Sequence, residues 1–289
     1  MRLLILTAAA LVVLYAGTVL TLWRFQEHVV FQPPKGVSSA RVAARQVRYT
    51  SEDGIQLFAY VLGNCSATST VVLAFHGNAD LARWLIPWAS EVATRTAACV
   101  VLPEFRGYDG VAGTPSYAGS ARDARAALAY VRDSMGVAQN RLVYFGHSLG
   151  TAIATELAEQ TEPRVLVLQS PFTSARAMAA RMIVPGLTLF WSMISRVHFD
   201  TMSHVRSLGT PVWVAHGDRD VIIPVRMGRE VFEAAREKGE LLIVPGAGHN
   251  DVPLVGGDAY WAWLGRALGV DRASAVSPPS ARAGTRLGP

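Results

Sequence analysis

The stretch Arg141–Ala154, RLVYFGHSLGTAIA, decides the fold of this chain. An apolar, strand-forming run ends in Gly146-His147-Ser148-Leu149-Gly150, and an alanine-rich helical run follows at once. A serine between two glycines at a strand-to-helix turn is typical of a nucleophile elbow, where small neighbours let the strand and the helix approach closely. The alternative is an ordinary serine that caps the helix. The strand before the turn and the helix after it favour the nucleophile.

Short, apolar strands alternate with helices on both sides of this stretch. The spacing of apolar residues predicts helices near 79–95, 120–135, 148–160, 225–238 and 258–268. Apolar strands separated by helices are typical of a mostly parallel sheet that is covered on both faces. The sequence therefore predicts an α/β fold with a central sheet flanked by helices. Its strands are ARQVRYT (44–50), IQLFAYVL (55–62), TVVLAF (70–75), AACVVL (97–102), RLVYF (141–145), RVLVLQS (164–170), PVWVAH (211–216) and ELLIVP (240–245).

The N-terminus predicts a single-pass membrane anchor. Leu3 to Leu22 form a run of 20 residues without a charge, which is the length that the hydrocarbon core of a bilayer requires, and Trp23 and Arg24 follow it as interface residues. A cleaved signal peptide is the alternative, but the apolar region of such a peptide is shorter than the run from Leu3 to Leu22. We predict an anchor over 1–30, a linker over 31–44, a catalytic domain over 45–269 and a disordered tail over 270–289.

The positive charge of the chain lies near the predicted membrane and in the tail. The formal net charge is +5, but residues 51–270 carry 18 basic and 20 acidic side chains. The lipid bilayer, with its anionic headgroups, is the natural partner of the basic excess. The domain lacks a basic stripe with interleaved aromatic residues, which argues against nucleic-acid binding. The two cysteines, Cys65 and Cys99, allow a disulfide without requiring one. The side of the membrane and the oligomeric state stay open.

Two later loops provide the partners that a serine nucleophile needs. A serine requires a base, and the base requires an orienting acid; in elbow-type folds the order is Ser, Asp or Glu, then His. HGDRD (216–220) follows one strand and offers Asp218 and Asp220, and GAGHND (246–251) follows the last strand and offers His249. The carboxyl ends of parallel strands meet at one sheet edge. The sequence therefore predicts a Ser-Asp-His triad there.

An oxyanion hole and a pocket are also predicted. The backbone N–H of Leu149, after the serine, and that of Asn78, in the Gly77 loop, are the candidate oxyanion donors. The histidines lack metal-ligand spacing, so we expect neither a metal nor a cofactor. Residues 171–209 interrupt the strand-helix alternation and form either a short cap or a helix pair that merely covers the sheet. The candidate pocket residues are Tyr108, Met178, Met182, Phe190 and Trp191.

The motifs together resemble those of the α/β-hydrolase superfamily over about residues 45–268. The chain is most similar to the membrane-anchored Bem46-like, or ABHD13/ABHD17-like, group. The resemblance selects Asp220 as the triad acid over Asp218 and implies a serine hydrolase. One loop departs from the group's Arg-Gly-Tyr-Gly-x-Ser-x-Gly pattern, because Asp109 follows Tyr108. The motifs that carry the resemblance are HGN (76–78), FRGYDGVAGTPS (105–116), GHSLGTA (146–152), SPFTS (170–174), HGDRDVIIP (216–224) and GAGHND (246–251).

These observations predict a membrane-anchored serine hydrolase. Ser148, His249 and Asp220 would cleave a carboxylic ester or thioester through an acyl-enzyme. An aminopeptidase-like serine peptidase uses the same triad and is the enzymatic alternative. A catalytically silent, membrane-tethered binding protein is the alternative from another class.

Overall fold

A computed structural model of the chain describes residues 1–35, 42, 44–181 and 195–269. Helix α1 spans Arg2–Val30, and an eight-stranded sheet with seven further described helices follows it. The strands are β1 (Arg45–Thr50), β2 (Gln56–Leu62), β3 (Val71–Phe75), β4 (Cys99–Pro103), β5 (Leu142–His147), β6 (Val165–Gln169), β7 (Val212–Gly217) and β8 (Lys238–Val244). The helices are α2 (Ile86–Thr96), α3 (Tyr117–Ala129), α4 (Leu149–Gln160), α5 (Ala175–Ala179), α6 (Thr201–Ser207), α7 (Val225–Ala234) and α8 (Val252–Ala267).

The predicted mostly parallel sheet is confirmed. The strand order is β1-β2-β4-β3-β5-β6-β7-β8, and β2 pairs antiparallel with both β1 and β4. All pairs from β4 to β8 are parallel, so the carboxyl ends of these strands meet at one edge. Strand β3 lies next to β5, which brings the loop after Phe75 beside the turn after His147.

The hydrophobic core lies on both faces of this sheet, because successive residues of a strand point to opposite sides. Leu73 packs in a cluster with α3 and α4, whereas its neighbour Val72 packs in a second cluster with α2 and α8. Both side chains are fully buried. An apolar strand without polar alternation is therefore what a doubly covered strand requires.

Helix boundaries differ from the predictions where proline or a local turn intervenes. The region near 79–95 begins as a short 3₁₀ turn over Ala82–Leu85, and α2 starts only at Ile86. Pro87 occupies the first turn of α2, where its missing N–H leaves no hydrogen bond broken. The last helix starts at Val252, earlier than the predicted 258, and contains a kink at Gly257.

Helix α1 is long and apolar enough, by length and composition, to be a candidate membrane span. Its carboxyl end contacts the domain. The predicted linker begins with Phe31, which is only 4% exposed and packs near Phe199. The Glu27 carboxylate accepts a hydrogen bond from the Tyr117 backbone N–H at 3.2 Å, and Gln26 Oε1 accepts one from the Arg196 N–H at 2.6 Å.

The segment predicted as a cap is described only at its two ends, which form α5 and α6. Met182, Phe190 and Trp191 lie outside the described residues, as does the predicted tail over 270–289.

The two cysteines form a disulfide. Cys65 follows β2, Cys99 begins β4, and their Cα atoms are 4.9 Å apart. The sequence left this pairing open, because only the antiparallel pairing of β2 with β4 brings the two residues together.

Candidate active site

Ser148 lies at the sharp turn between β5 and α4. Its backbone has φ 53° and ψ −118°, a conformation that non-glycine residues adopt at a cost of about 1–3 kcal/mol. A side chain at Gly146 would collide with the Gly150 backbone, and one at Gly150 would collide with the Phe75 carbonyl. The two glycines of the pattern are therefore required by the close approach of strand and helix.

His249 and Asp220 complete a hydrogen-bonded chain to this serine. The distance from His249 Nε2 to Ser148 Oγ is 2.9 Å, and that from His249 Nδ1 to Asp220 Oδ2 is 2.6 Å. Since an ionised carboxylate only accepts, Nδ1 carries the hydrogen and Nε2 presents its lone pair to the serine hydroxyl. The three residues that the sequence selected thus meet at the carboxyl edge of the sheet.

Four donors surround the Asp220 carboxylate. Oδ1 accepts from the N–H groups of Ile222 and Ile223 at 2.9 and 2.8 Å, and His216 Nε2 lies 3.1 Å from Oδ2, which His249 also contacts. Burial alone would raise the pKa of Asp220, but these hydrogen bonds, led by those from His216 and His249, hold it well below its usual range. Asp220 therefore remains ionised beside the imidazole.

His216 was not predicted to take part in the site. It is fully buried, and its Nε2 also bonds to the Ile223 carbonyl at 2.9 Å. Because that carbonyl is an acceptor, Nε2 carries the hydrogen, which it shares between the carbonyl and Asp220 Oδ2. Asp218, in contrast, accepts from the Gly246 N–H at 2.7 Å and so joins its loop to the loop that carries His249.

The loop that carries Asn78 lies beside the serine. A side chain at Gly77 would come within 3.3 Å of Ser148 Cβ, so glycine keeps this loop close. Leu149 is the first residue of α4, where backbone N–H groups have no partner within the helix. The N–H groups of Leu149 and Asn78 therefore belong to the two segments that flank the serine.

Hydrogen bonds from two directions hold the side chain of Asn78. Its Oδ1 accepts from the Gln32 N–H at 2.8 Å and from the Tyr108 hydroxyl at 3.0 Å. Gln32 lies two residues after α1, so the end of that helix reaches the loop of the candidate oxyanion donor. Nothing in the sequence around Gln32 indicated this contact.

A cavity of about 630 Å³ opens at Ser148 and His249. Its walls combine aromatic and aliphatic side chains with a few polar ones. Apolar walls with a small number of placed polar groups are typical of small-molecule sites. The apolar lining residues are Ala79, Trp84, Leu85, Trp88, Phe145, Ile222 and Pro253, and the polar ones include Gln32, Asn78, Asp80, His147, Gln169 and Asn250.

Two predicted pocket residues lie behind this cavity instead of lining it. Tyr108 is fully buried, because its ring packs against Phe105 and its hydroxyl bonds to Asn78. Met178, on α5, is partly buried against the core cluster beneath α4. Trp84 and Trp88 line the cavity instead of Tyr108 and Met178. The spacing of four residues between the two tryptophans predicted a helix but not a position in the pocket.

His147 lines the cavity with an uncharged imidazole. Its Nε2 bonds to the His249 carbonyl at 3.2 Å, and burial, followed by the nearby His249, lowers its pKa to about 4. Its Nδ1 lies 4.0 Å from Asp80 Oδ2, and burial raises the pKa of that carboxyl.

The loop that departs from the family pattern has its own support. Asp109, where the group has glycine, adopts φ 44° and forms an ion pair with Arg83 at 2.6 Å. Aspartate tolerates positive φ better than most residues. The pair fixes the turn that carries Trp84. Arg106, at the start of the loop, is buried and bonds to Asp123 at 2.7 Å and to Asp53 at 2.6 Å.

Comparisons with known proteins agree with this architecture. Residues 71–202 match the model of the alpha/beta hydrolase family. The chain is 35% identical over 258 residues to uncharacterized protein MT2364 of Mycobacterium tuberculosis, covering 87% of this chain and 90% of that one. It is 29% identical over 193 residues to human alpha/beta hydrolase domain-containing protein 17B, covering 66% and 65%.

The fold is also that of solved esterases. The Pyrococcus furiosus esterase Pf2001 superposes with a TM-score of 0.65 at 20% identity, over 83% of this chain and 97% of that one. The Rhodococcus esterase RhEst1 gives a TM-score of 0.58 at 18% identity, over 78% and 98%.

The chain belongs to the alpha/beta hydrolase superfamily, as its motifs predicted. Within it, the chain is of the type of alpha/beta hydrolase domain-containing protein 17. Membership of this superfamily supports a hydrolytic activity.

Proposed function

We propose that this chain is a membrane-anchored serine hydrolase that cleaves carboxylic ester or thioester bonds through an acyl-enzyme. The observation that carries the proposal is the continuous hydrogen-bonded chain from Ser148 through His249 to Asp220, at 2.9 and 2.6 Å, at the mouth of a largely apolar cavity.

Acylation follows from the protonation states of these groups. Ser148 Oγ attacks the carbonyl carbon of the substrate while its proton passes to His249 Nε2, the lone pair of which faces it. The negative charge that develops on the carbonyl oxygen is stabilised by the N–H groups of Leu149 and Asn78. The imidazolium is stabilised by Asp220, which its four donors keep ionised.

Collapse of the tetrahedral intermediate breaks the bond to the alcohol or thiol. His249 Nε2 donates its proton to that leaving group, and the acyl group stays on Ser148 Oγ. A water molecule then attacks the acyl carbon, and Nε2 takes a proton from it. Breakdown of this second intermediate returns the proton to Ser148 and releases the carboxylic acid.

The cavity favours an apolar acyl group. Trp84, Trp88 and Phe145 form its aromatic walls, and Trp88 packs against Phe145 with ring centroids 4.3 Å apart. No lysine or arginine is among the described residues that line it, so an anionic acyl group finds no countercharge there. We therefore infer an uncharged, hydrophobic acyl chain.

The test is hydrolysis of p-nitrophenyl esters from C2 to C16 by the full chain in nanodiscs. We expect Ser148→Ala to lower kcat by roughly 10⁴-fold or more, as removal of a triad member does. Ser170→Ala is the matched control, since Ser170 is also buried with φ 53° and its hydroxyl bonds weakly, at 3.4 Å, to the His249 carbonyl. This control is expected to retain activity within about threefold.

A fluorophosphonate probe provides an independent readout, because it labels an activated serine covalently. Labelling of the wild type that disappears in Ser148→Ala supports the proposal. Labelling that persists in Ser148→Ala would refute the assignment of the nucleophile. A folded protein that neither binds the probe nor cleaves any ester would favour the silent binding protein.

We also propose that the domain lies on the oxidising side of the membrane. The disulfide between Cys65 and Cys99 supports this location, since disulfides persist outside the reducing cytosol. Alkylation of thiols in living cells with a permeant maleimide, before lysis, tests it. Both cysteines should escape alkylation, and modification of either one would place the domain in the cytosol.

A further inference from the structure

The described part of the domain exposes large apolar side chains in a single region. Beyond Met1 and α1, five such side chains in the described residues are strongly exposed, with Val221 at 87% and Leu254 at 83%. The others are Trp84, Ile222 and Val255, and we call these five residues the rim. Isolated exposed apolar residues are normal on a protein surface, but a contiguous group marks an interaction site.

The rim surrounds the mouth of the active-site cavity. Trp84 and Ile222 line the cavity themselves. Val221 lies between Ile222 and Asp220, whereas Leu254 and Val255 directly follow Pro253, another lining residue. The rim thus comes from the 3₁₀ turn before α2, the β7–α7 loop and the start of α8. Three separate segments therefore present apolar side chains around one opening.

Helix α1 indicates what covers this surface. Its uncharged run ends at Leu22, and the helix continues for eight more residues to Val30, which corresponds to about 12 Å at the helical rise. Gln32, two residues further on, lines the same cavity. The headgroup layer of a bilayer is about 5–8 Å thick on each side. A bilayer that held α1 would therefore lie close to the cavity mouth.

Contacts along the last turns of α1 fix this geometry. Glu27 and Gln26 accept hydrogen bonds from the backbone of the domain, and the Arg196 guanidinium lies 4.2 Å from the centre of the Trp23 ring. These contacts hold the end of α1 at one position on the domain. The mouth of the cavity therefore has a defined position relative to a bilayer that α1 spans.

We propose that the rim rests in the surface of the bilayer that α1 spans, and that the cavity takes its acyl substrate from the lipid phase. This inference rests on the membrane-anchored hydrolase proposed above. It places the ester or thioester of a lipid or of a lipid-modified molecule at Ser148 while the acyl chain remains in apolar surroundings.

Contact with the bilayer is tested without catalysis. The full chain carrying Leu254→Cys is labelled with an environment-sensitive dye and placed in phosphatidylcholine nanodiscs that contain nitroxide-bearing lipid. The native cysteines are paired, so the dye reacts at the introduced thiol. Ser134→Cys is the matched control, because Ser134 is exposed and lies between α3 and β5, at the edge where the parallel strands begin.

We expect the lipid nitroxide to quench the dye at position 254 strongly and the dye at 134 little. Equal quenching at the two positions would overturn the proposal, whether or not the protein hydrolyses any ester. That result would indicate that the rim binds a protein instead of the bilayer.

Kinetics provide the second test. Neither Val221 nor Leu254 lines the cavity, so Val221→Ser with Leu254→Ser should leave kcat on soluble p-nitrophenyl acetate unchanged. Hydrolysis of a long-chain ester dissolved in the nanodisc should fall by about fivefold or more, because apolar contact with the lipid is lost. Val221→Ile with Leu254→Met keeps the apolar surface and should retain the wild-type rate. An equal loss on both esters would contradict the proposal, whereas absence of hydrolysis in the wild type would contradict the proposed function instead.

Discussion

Removal of one hydroxyl group tests whether the support of Asn78 matters for catalysis. Tyr108→Phe keeps the ring packed against Phe105 and His76 but removes the donor that lies 3.0 Å from Asn78 Oδ1. The Gln32 N–H remains as the other donor. The substitution therefore loosens the candidate oxyanion loop without opening a large cavity.

The expected magnitude follows from this geometry. A neutral hydrogen bond contributes about 0.5–1.5 kcal/mol, which corresponds to about a 2- to 13-fold decrease in kcat if the whole of it stabilises the transition state. Complete loss of an oxyanion donor costs about 10²–10³-fold. We thus expect a moderate decrease in kcat with KM nearly unchanged, because the ground-state carbonyl interacts more weakly with these donors than the oxyanion does.

The assay is the hydrolysis of p-nitrophenyl acetate, with a melting temperature measured for each variant. Tyr144→Phe is the control, because the buried Tyr144 hydroxyl has no hydrogen-bond partner within the described part of the chain. This control should retain full activity. An unchanged kcat in Tyr108→Phe would refute the coupling between Tyr108 and the oxyanion loop, and a decrease beyond 100-fold would mean that the hydroxyl acts on the substrate directly.

Three further predictions concern the support of the triad acid Asp220, the pH dependence of stability through Glu156, and the disulfide. His216→Ala should lower kcat about tenfold, because Asp220 loses one charge-assisted donor, and His216→Gln should recover part of the rate; equal rates in both would mean a packing role. Burial raises the pKa of Glu156 from 4.5 to about 7, so the folded protein retains a proton that the unfolded chain releases, and stability falls as the pH rises through this window. Glu156→Gln should therefore stabilise the protein by roughly 3 kcal/mol at pH 8 and little at pH 4, as measured by urea unfolding; a gain independent of pH would contradict this. Replacement of both Cys65 and Cys99 by serine should cost roughly 3–4 kcal/mol, from closure of a loop with a sequence separation of 34, and reductant should then no longer change the melting temperature.

The parts of the fold that local chemistry dictates were predictable. Apolar strands such as Val71–Phe75 can be buried only between two layers of helices, so they predicted the sheet and its covering. The glycines around Ser148 indicated a tight turn between strand and helix. His249 could be selected because the order of the motifs and the ends of parallel strands limit which side chains meet, whereas the choice of Asp220 over Asp218 came from the resemblance to the hydrolase family.

The remaining features depend on contacts between distant segments. Gln32 lies in a stretch that looked like a linker, and only the position of α1 on the domain brings it to Asn78. Tyr108 was expected in the pocket because its loop lies near the site, but the aromatic packing turns its ring inward. His216, near the end of β7, contacts the Asp220 carboxylate. In the sequence alone it resembles any other buried histidine.

The uninterrupted course of α1 has a consequence for how lipid composition acts on this protein. From Leu22 to Val30 the helix contains neither glycine nor proline, and its end is bonded to the domain. A thicker or thinner bilayer changes the tilt of a spanning helix. Gln32 follows this helix and donates to Asn78 Oδ1, so a change in the tilt of the proposed membrane span would displace the loop of the candidate oxyanion donor. If the proposed function holds, the thickness of the membrane is expected to change the turnover rate, even for a substrate that never enters the lipid.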